Sequence, residues 1–254
     1  MPETRRVWLF ATCLVDSLFP EVGEAVLDVL EGQSVQVDFP FEQTCCGQPA
    51  YNAGFRDEAR AMALRFLDVF APEPELAPVV CPSGSCAAMI RHGYPELLRD
   101  RPEPLARARA LAGQTYEFSE YLVDILGVTQ VSLSETNVSG AIAYHPSCHL
   151  LRGLKVDRQP RRLLAGLKGV TLVELPEGHD CCGFGGLFAV KHADVSGEIL
   201  KRKLEAVRQS GARFVAGCDL SCLMHIEGGL RRAGSPVRCL HIAQLLMGEP
   251  RVHH

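Results

Sequence analysis

The chain has 254 residues, of which 47% are hydrophobic, and a formal net charge of −4. This is enough for a large buried core, in one large domain or two of ordinary size. The charge balance excludes the basic surface of a nucleic-acid-binding protein, and no apolar run approaches the ~20 residues of a membrane-spanning helix. The N-terminal segment lacks a signal-peptide core, so we expect a cytoplasmic protein without a transmembrane segment.

Short apolar segments and longer amphipathic segments alternate along the first half of the chain. The predicted strands are residues 7–11, 35–39, 79–80 and 116–118. The predicted helices are residues 21–31, 55–70, 85–91, 101–112 and 120–126. Ser119 is the expected cap of the last of these helices. Strands separated by helices indicate βαβ units with a parallel sheet.

A polar, irregular stretch over residues 127–140 predicts a linker, after which the pattern restarts. The second set of strands is predicted at residues 141–144, 170–173, 213–216 and 237–240, and the helices at 160–167, 192–210, 222–232 and 242–247. We therefore predict an α/β fold with two tandem Rossmann-like units, related by a pseudo-twofold axis. The expected domains are residues 1–134 and 135–254.

Eleven cysteines are the unusual feature of the composition. A chain of this length in a reducing cytosol does not need a disulfide scaffold. Only Cys239, in the last predicted strand, is best explained as a buried core residue. The other ten recur in five pairs at offsets of 135 to 137 residues: Cys13 and Cys148, Cys45 and Cys181, Cys46 and Cys182, Cys81 and Cys218, and Cys86 and Cys222. This regularity indicates an internal duplication.

Each cysteine of the duplicated set comes at or after the end of a predicted strand. The carboxyl ends of parallel strands meet at one edge of a sheet, where ligands bind. The cysteines of each half should therefore converge although they are far apart in sequence. We expect one cysteine-lined crevice in each half.

Thiolates are soft ligands that select zinc, copper(I) or iron–sulfur clusters. Cys81-x₄-Cys86 and Cys218-x₃-Cys222 could be zinc clips. Adjacent cysteines, however, point apart in an extended chain and suit a polynuclear cluster better than one ion. A zinc-binding structural or interaction module and a vicinal-thiol redox catalyst remain as alternatives.

Glycines accompany both adjacent pairs, in Cys45-Cys46-Gly47 and in Cys181-Cys182-Gly183. Glycine permits positive φ and lets backbone N–H groups approach inorganic sulfide. Gly185 and Gly186 extend this loop in the second half. We predict that Gly47, Gly183, Gly185 and Gly186 contribute to cofactor binding. The run 183–186 is too short for a dinucleotide-binding motif, so we expect no flavin or nicotinamide site.

Three histidines flank cysteines in the second half only: His145, His149 and His179. They either hydrogen-bond locally, or tune a metal centre and move a proton coupled to electron transfer. His149 and His179 are the candidate catalytic residues. The asymmetry suggests that the second site faces substrate, while the first passes electrons on.

The chain resembles the cysteine-rich CCG family, which includes the B subunit of heterodisulfide reductase and the iron–sulfur subunit of glycolate oxidase. Its pattern is a cysteine, a distant Cys-Cys-Gly and a further cysteine or cysteine pair, present twice. The segments that carry the resemblance are residues 10–16, 44–54, 82–86, 145–149, 179–186 and 221–225.

The resemblance implies an iron–sulfur electron-transfer protein, within a branch of the family that oxidises L-lactate to pyruvate. The implied partners are a ferredoxin-type iron–sulfur protein and a further protein of the same lactate system. The implied cofactor is one [4Fe–4S] cluster per repeat, cubane or non-cubane.

The heterodisulfide reductase relative uses five cysteines for each non-cubane cluster. By that analogy the two ligand sets would be Cys13, Cys45, Cys46, Cys81 and Cys86, and Cys148, Cys181, Cys182, Cys218 and Cys222. That relative ends its motif in C-x₂-C, whereas the spacings here are x₄ and x₃. The expected ligands are therefore four cysteines in each half, without Cys81 and Cys218, and four suffice for a cubane cluster.

Overall fold

The computed structural model describes residues 5–71, 76–128, 138–176 and 178–247. The strands and helices of the first half are β1 (Arg5–Leu9), α1 (Cys13–Leu18), α2 (Pro20–Gly32), β2 (Val35–Asp38), α3 (Gln48–Asn52), α4 (Arg56–Phe70), β3 (Val79–Cys81), α5 (Gly84–Ala88), α6 (Tyr94–Leu97), α7 (Pro102–Ala112), β4 (Thr115–Glu117) and α8 (Phe118–Glu120). Two π-helical turns, π1 (Met89–Gly93) and π2 (Tyr121–Ile125), continue α5 and α8.

The second half repeats this order of strands. Its elements are β5 (Gly140–His145), the π-helical turn π3 (His149–Leu154), α9 (Arg158–Ala165), β6 (Val170–Val173), α10 (Leu187–Lys191), α11 (Ala193–Ser210), β7 (Phe214–Gly217), α12 (Leu220–Arg232), β8 (Arg238–His241) and α13 (Ile242–Met247).

The strands form two four-stranded sheets in which every pairing is parallel. Their orders are β2-β1-β3-β4 and β6-β5-β7-β8, so the two sheets have the same topology. In each sheet the second strand in sequence lies on one side of the first, and the third and fourth strands lie on the other side. This reversal of direction creates a crevice at the carboxyl ends of the two central strands. The predicted α/β fold with two tandem parallel units is confirmed.

Each half contributes side chains to the hydrophobic core of the other. The larger hydrophobic cluster is built on the first half, yet it includes Ile242 and Leu246 of α13 from the second half. The smaller cluster is built on the second half, yet it includes Val15 of α1 and Val22 of α2. Helices α2 and α13 also pack directly against each other. Each half therefore completes its core with a helix from the other.

Several local predictions differ from the structure. Short helical segments that directly follow cysteine loops (α1, α3, α10 and π3) were not predicted, because runs of five or six residues carry little periodic signal. The predicted linker is described only at residues 127, 128 and 138–140, and the predicted boundary between residues 134 and 135 lies outside the described residues. Within the described ranges, no helix combines the length and the apolar character needed to cross a bilayer.

The cap of α8 is Glu117, not the predicted Ser119. One carboxylate oxygen of Glu117 accepts hydrogen bonds from the backbone N–H groups of Ser119 and Glu120, at 2.8 and 3.2 Å, and from the Ser119 hydroxyl. Glu120 completes a capping box through the Glu117 amide. The Glu117 side chain is fully buried, and burial raises its pKa to about 8 although these hydrogen bonds oppose the rise.

We predict that Glu117→Gln removes a pH dependence of stability. The pKa of Glu117 is raised from 4.5 to about 8 in the folded protein. In the pH window between these two values, the folded protein keeps a proton that the unfolded chain has released. Stability of the wild type should therefore fall as pH rises through the window, by up to about 1.4 kcal/mol per pH unit. Glutamine keeps the acceptor without the charge. Urea unfolding at several pH values in this window should show that the free energy of unfolding depends less on pH in the variant than in the wild type.

The exposed Glu58 of α4 offers a matched control. Glu58→Gln should leave the wild-type slope unchanged. Equal slopes for wild type and Glu117→Gln would show that Glu117 is ionised in the folded protein at low pH, contrary to its burial.

Candidate metal centre

Four cysteines of the first half meet where its strands end; we call them the first cysteine group. Cys13 begins α1 just after β1, Cys45 and Cys46 lie between β2 and α3, and Cys86 lies in the first turn of α5 after β3. The Sγ atoms of Cys46 and Cys86 are 3.3 Å apart, and the Cys13 thiol hydrogen-bonds Cys45. Residues up to 73 positions apart in sequence are thus brought into one group.

The second cysteine group has the same construction. Cys148 directly precedes π3 after β5, Cys181 and Cys182 lie between β6 and α10, and Cys222 lies in the first turn of α12 after β7. The Sγ atoms of Cys182 and Cys222 are 3.1 Å apart, and the Cys148 thiol hydrogen-bonds Cys181.

Both groups line a single cavity of about 230 Å³, rather than the two separate crevices expected from the sequence. The loops that follow β3 and β7 pack against each other, with the Gly84 amide donating to the Cys218 carbonyl at 3.3 Å. Gly84 also lies so close to Leu150 that an added Cβ would be 2.7 Å from the Leu150 Cβ. This close docking of the two halves merges the two crevices. The other walls are formed by residues such as Gln48, Asn52, Ser147, Phe184 and Ser221.

Glycines shape both Cys-Cys-Gly loops as expected. Gly47 and Gly183 have φ of 82° and 93°, and each donates its backbone N–H to the sulfur of the first cysteine of its pair. For Gly183 that N–H···Sγ distance, to Cys181, is 3.3 Å. Gly185 and Gly186 also have positive φ and lead into α10, where both line the cavity.

The thiols of the first group compete for protons. Hydrogen bonds from Cys13 and Cys46 lower the pKa of Cys45 to about 3, against the effect of burial. Hydrogen bonds from Cys46 and Cys81 lower the pKa of Cys86 to about 5. In return, the hydrogen bonds to Cys45 raise the pKa of Cys13 and of Cys46, and burial raises both further.

The second group follows the same pattern. Hydrogen bonds from Cys148 and Cys182 lower the pKa of Cys181 to about 2, while the pKa values of Cys148 and Cys182 are raised by those contacts and by burial. Without a cation, only part of each group can be ionised, because like charges at 3 Å in a buried site repel. A metal that binds thiolates removes this conflict, and the donor set is the one that iron–sulfur clusters and zinc require.

The remaining cysteines lie apart from the cavity wall. Cys81 ends β3 and Cys218 follows β7, both are fully buried, and neither belongs to the described cavity lining. The Cys81 thiol nevertheless interacts with Cys86, whereas Cys218 interacts with Ser119 and Tyr144. Cys239, in β8, packs against the smaller hydrophobic cluster.

The three flanking histidines have different environments. His149 is exposed and lines the cavity. His179 is exposed, and its backbone carbonyl accepts a hydrogen bond from Arg152. His145, at the end of β5, is 1% exposed, and its ring nitrogen, the Cys182 Sγ and the Cys222 Sγ lie within 4.8 Å of one another. Burial lowers the pKa of His145 to about 3, so that its imidazole is neutral.

Asp219 is a site residue that the sequence reasoning missed. It is 2% exposed, and its Oδ2 accepts hydrogen bonds from the Ser85 amide at 2.8 Å and the Ser83 hydroxyl at 3.4 Å. Its Oδ1 accepts from Ser221 at 2.5 Å. Asp219 thus ties the loop that precedes Cys86 to the loop that precedes Cys222. An aspartate directly before a helix was the available signal, but it suggests only a helix cap.

We predict that Asp219→Ala lowers the free energy of unfolding by about 2 kcal/mol, because the Ser85 amide loses its charged acceptor. Asp219→Asn keeps one acceptor oxygen and should lose less. Asp194, exposed in the first turn of α11, is the control, and Asp194→Ala should change stability by no more than about 0.5 kcal/mol. Urea unfolding of the four proteins checks this, and equal stabilities of the two alanine variants would contradict the bridging role.

Comparison with known proteins agrees with the duplicated architecture. The family model described as "Cysteine-rich domain" (CCG) matches twice, over residues 7–91 and 142–227. A solved structure of an aspartate racemase homologue from Pyrococcus horikoshii OT3 aligns over 96% of both chains, but its TM-score of 0.34 and identity of 9% are too low to inform fold or function.

Curated relatives match over nearly the whole chain. Proteins named "Lactate utilization protein A" are 44% identical in Exiguobacterium sp. (94% of this chain and 96% of the relative), in Macrococcus caseolyticus (95% and 96%) and in Geobacillus kaustophilus (95% and 98%). Identity at this level over this length establishes common descent. The chain belongs to the cysteine-rich CCG domain family, in the group whose curated members are named lactate utilization protein A.

Proposed function

We propose that this chain is an iron–sulfur electron-transfer subunit of a system that oxidises a 2-hydroxy acid, with L-lactate as the substrate of the system. The observation that carries the proposal is the convergence of two four-cysteine groups on one cavity. Eight thiols around one cavity are far more than one structural zinc ion needs.

The features around the thiols favour clusters over single ions. Each group contains an adjacent cysteine pair, whose two sulfurs can serve different metal atoms. Each group also has a glycine N–H directed at sulfur, which stabilises the negative charge of thiolate and sulfide. We assign one [4Fe–4S] cluster to each group, held by Cys13, Cys45, Cys46 and Cys86 and by Cys148, Cys181, Cys182 and Cys222. A bound cluster supplies reversible one-electron transfer.

The protein's own residues set the conditions for that transfer. The cysteines hold the metal, the glycine amides lower the energy of the reduced state, and the buried walls restrict water. Asp219 fixes the two cysteine loops relative to each other. His149 and His179 are candidates for coupled proton movement, and His149 is the better placed because it lines the cavity.

The substrate and partners come from the relatives, whose name refers to lactate utilisation. Because the sequence holds no dinucleotide fingerprint, we assign the removal of hydride from lactate to a partner. The proposed partners are a ferredoxin-type iron–sulfur protein and a further lactate utilisation protein, with this chain passing electrons between centres.

Anaerobic purification followed by metal and acid-labile sulfide analysis tests the cofactor. We expect brown protein with about eight iron atoms per chain, four for each cluster. Colourless protein with stoichiometric zinc would refute the proposal in favour of a structural module. Reversible thiol oxidation in a protein that contains no iron would favour a vicinal-thiol catalyst.

A second experiment tests the place in the system. Anaerobic protein mixed with the two partners should lose visible cluster absorbance when L-lactate is added, and regain it on oxidation. Glycolate in place of lactate tests the choice of 2-hydroxy acid. Failure of both acids to reduce an iron-loaded protein would leave the cofactor assigned and the substrate assignment wrong.

A further inference from the structure

The second cysteine group has a histidine beside it that lacks a hydrogen-bond partner. His145 is 1% exposed, and neither ring nitrogen has a partner among the described residues. A buried polar group without a partner costs about 1–3 kcal/mol, so such a residue indicates a missing ligand. Its ring nitrogen and the sulfurs of Cys182 and Cys222 lie within 4.8 Å of one another, which is close enough for all three to share a bound group.

The first half has no counterpart of this imidazole. Phe10 precedes Cys13 by three residues, as His145 precedes Cys148. Phe10 packs edge-on against Phe66 and Phe70, with ring centroids 4.8 and 5.7 Å away, as an ordinary core residue. The same position of the duplicated unit is therefore apolar beside the first group and a nitrogen donor beside the second.

The buried cysteines show the complementary difference. In the first half, Cys81 interacts with Cys86 of the first group. In the second half, the equivalent Cys218 interacts with Ser119 and Tyr144 instead of Cys222. The second group thus lacks the additional thiol that the first has nearby, and it has an imidazole where the first has a phenyl ring.

We propose that His145 is a nitrogen ligand of the cluster in the second cysteine group, an inference that rests on the proposed iron–sulfur function. An imidazole nitrogen offers a lone pair to iron, and imidazole suits iron as a ligand. It adds no negative charge, whereas each thiolate adds one. Beside the four cysteines of this group it is a fifth donor, so the second centre has a higher reduction potential than the same centre with a fifth thiolate in this position. The two centres are therefore inequivalent.

Pulsed EPR of the reduced second centre tests this ligand. The measurement uses the full chain with Cys46→Ser, so that the signal of the first centre is absent. We expect a strong ¹⁴N hyperfine coupling of the kind that a directly bound imidazole gives. Labelling the protein with ¹⁵N-histidine should replace the ¹⁴N coupling by a ¹⁵N coupling. This labelling identifies a histidine ligand without altering any residue of the second site.

Two variants in the same background identify the histidine. His145→Cys offers a thiolate, so the iron content should be retained while the strong nitrogen coupling is lost and the reduction potential falls. His149→Asn, on the cavity wall, should keep the coupling. A loaded second centre that shows only weak nitrogen couplings, or a strong coupling that persists in His145→Cys, would overturn the assignment and leave the proposed function intact. Wild-type protein free of iron would overturn the proposed function itself.

Discussion

Replacing Cys182 with Ser should remove the second cluster and leave the first, which halves the bound iron. Cys182 is 2% exposed and contacts both Cys181 and Cys222, so its loss breaks the contacts at the centre of its group. Serine is a hard ligand with a high pKa and does not replace a thiolate for iron. Iron and acid-labile sulfide per chain, measured after anaerobic purification, should fall from about eight to about four atoms of each.

Cys46→Ser is the reciprocal experiment, because Cys46 occupies the same place between Cys45 and Cys86. It should lose the other half of the iron, and the double variant should lose all of it. Cys239, which packs against the hydrophobic core away from both groups, supplies the control, and Cys239→Ser should keep full iron content. The single cavity makes one outcome decisive. If either single variant loses all iron, the eight thiols hold one shared cofactor, and the two-centre assignment is wrong.

Gly183→Ala is expected to cost on the order of 3 kcal/mol of stability and to empty the second centre. Gly183 has φ of 93°, which is unfavourable for any residue with a Cβ. An added Cβ would also lie 2.7 Å from the backbone oxygen of Ser196 in α11, and a backbone atom cannot move aside as a side chain can. The loop that presents Cys181 and Cys182 would have to shift. Urea unfolding and iron content together measure both effects.

Two other glycines separate the causes of this loss. Gly127 has φ of 72° with open space around its Cα, so Gly127→Ala should cost only about 1 kcal/mol, from the backbone conformation alone. Gly47 has φ of 82°, and an added Cβ would lie 3.1 Å from the side chain of Met62, so Gly47→Ala should give an intermediate loss and affect only the first centre. Equal costs at all three positions would show that the contact with Ser196 is unimportant.

The features that the sequence predicted well are those that depend on local pattern. The eight strands within the described ranges were predicted to within two residues, since short apolar runs between helical segments are a local signal. The convergence of Cys13, Cys45, Cys46 and Cys86 followed from parallel topology, because the carboxyl ends of parallel strands share one edge. The offset of about 136 residues then extended the same reasoning to the second half.

The features that the sequence could not predict depend on contacts between the halves. The single cavity results from the close approach of Gly84 to Leu150 and from the hydrogen bonds of Asp219 to the other half, and no residue pattern encodes a docking geometry. His145 was visible as a histidine near a cysteine. Its burial without a hydrogen-bond partner among the described residues depends on how distant segments pack around it, which the sequence pattern does not encode.

Because each half contributes helical side chains to the core of the other, the two halves depend on each other for folding. Without the second half, the first would expose the apolar surface that α13 covers, and without the first, the second would lose Val15 and Val22 from its cluster. A fragment of either half should therefore aggregate or remain partly unfolded. The intact chain should unfold in one cooperative transition, because neither core is complete without side chains from the other half.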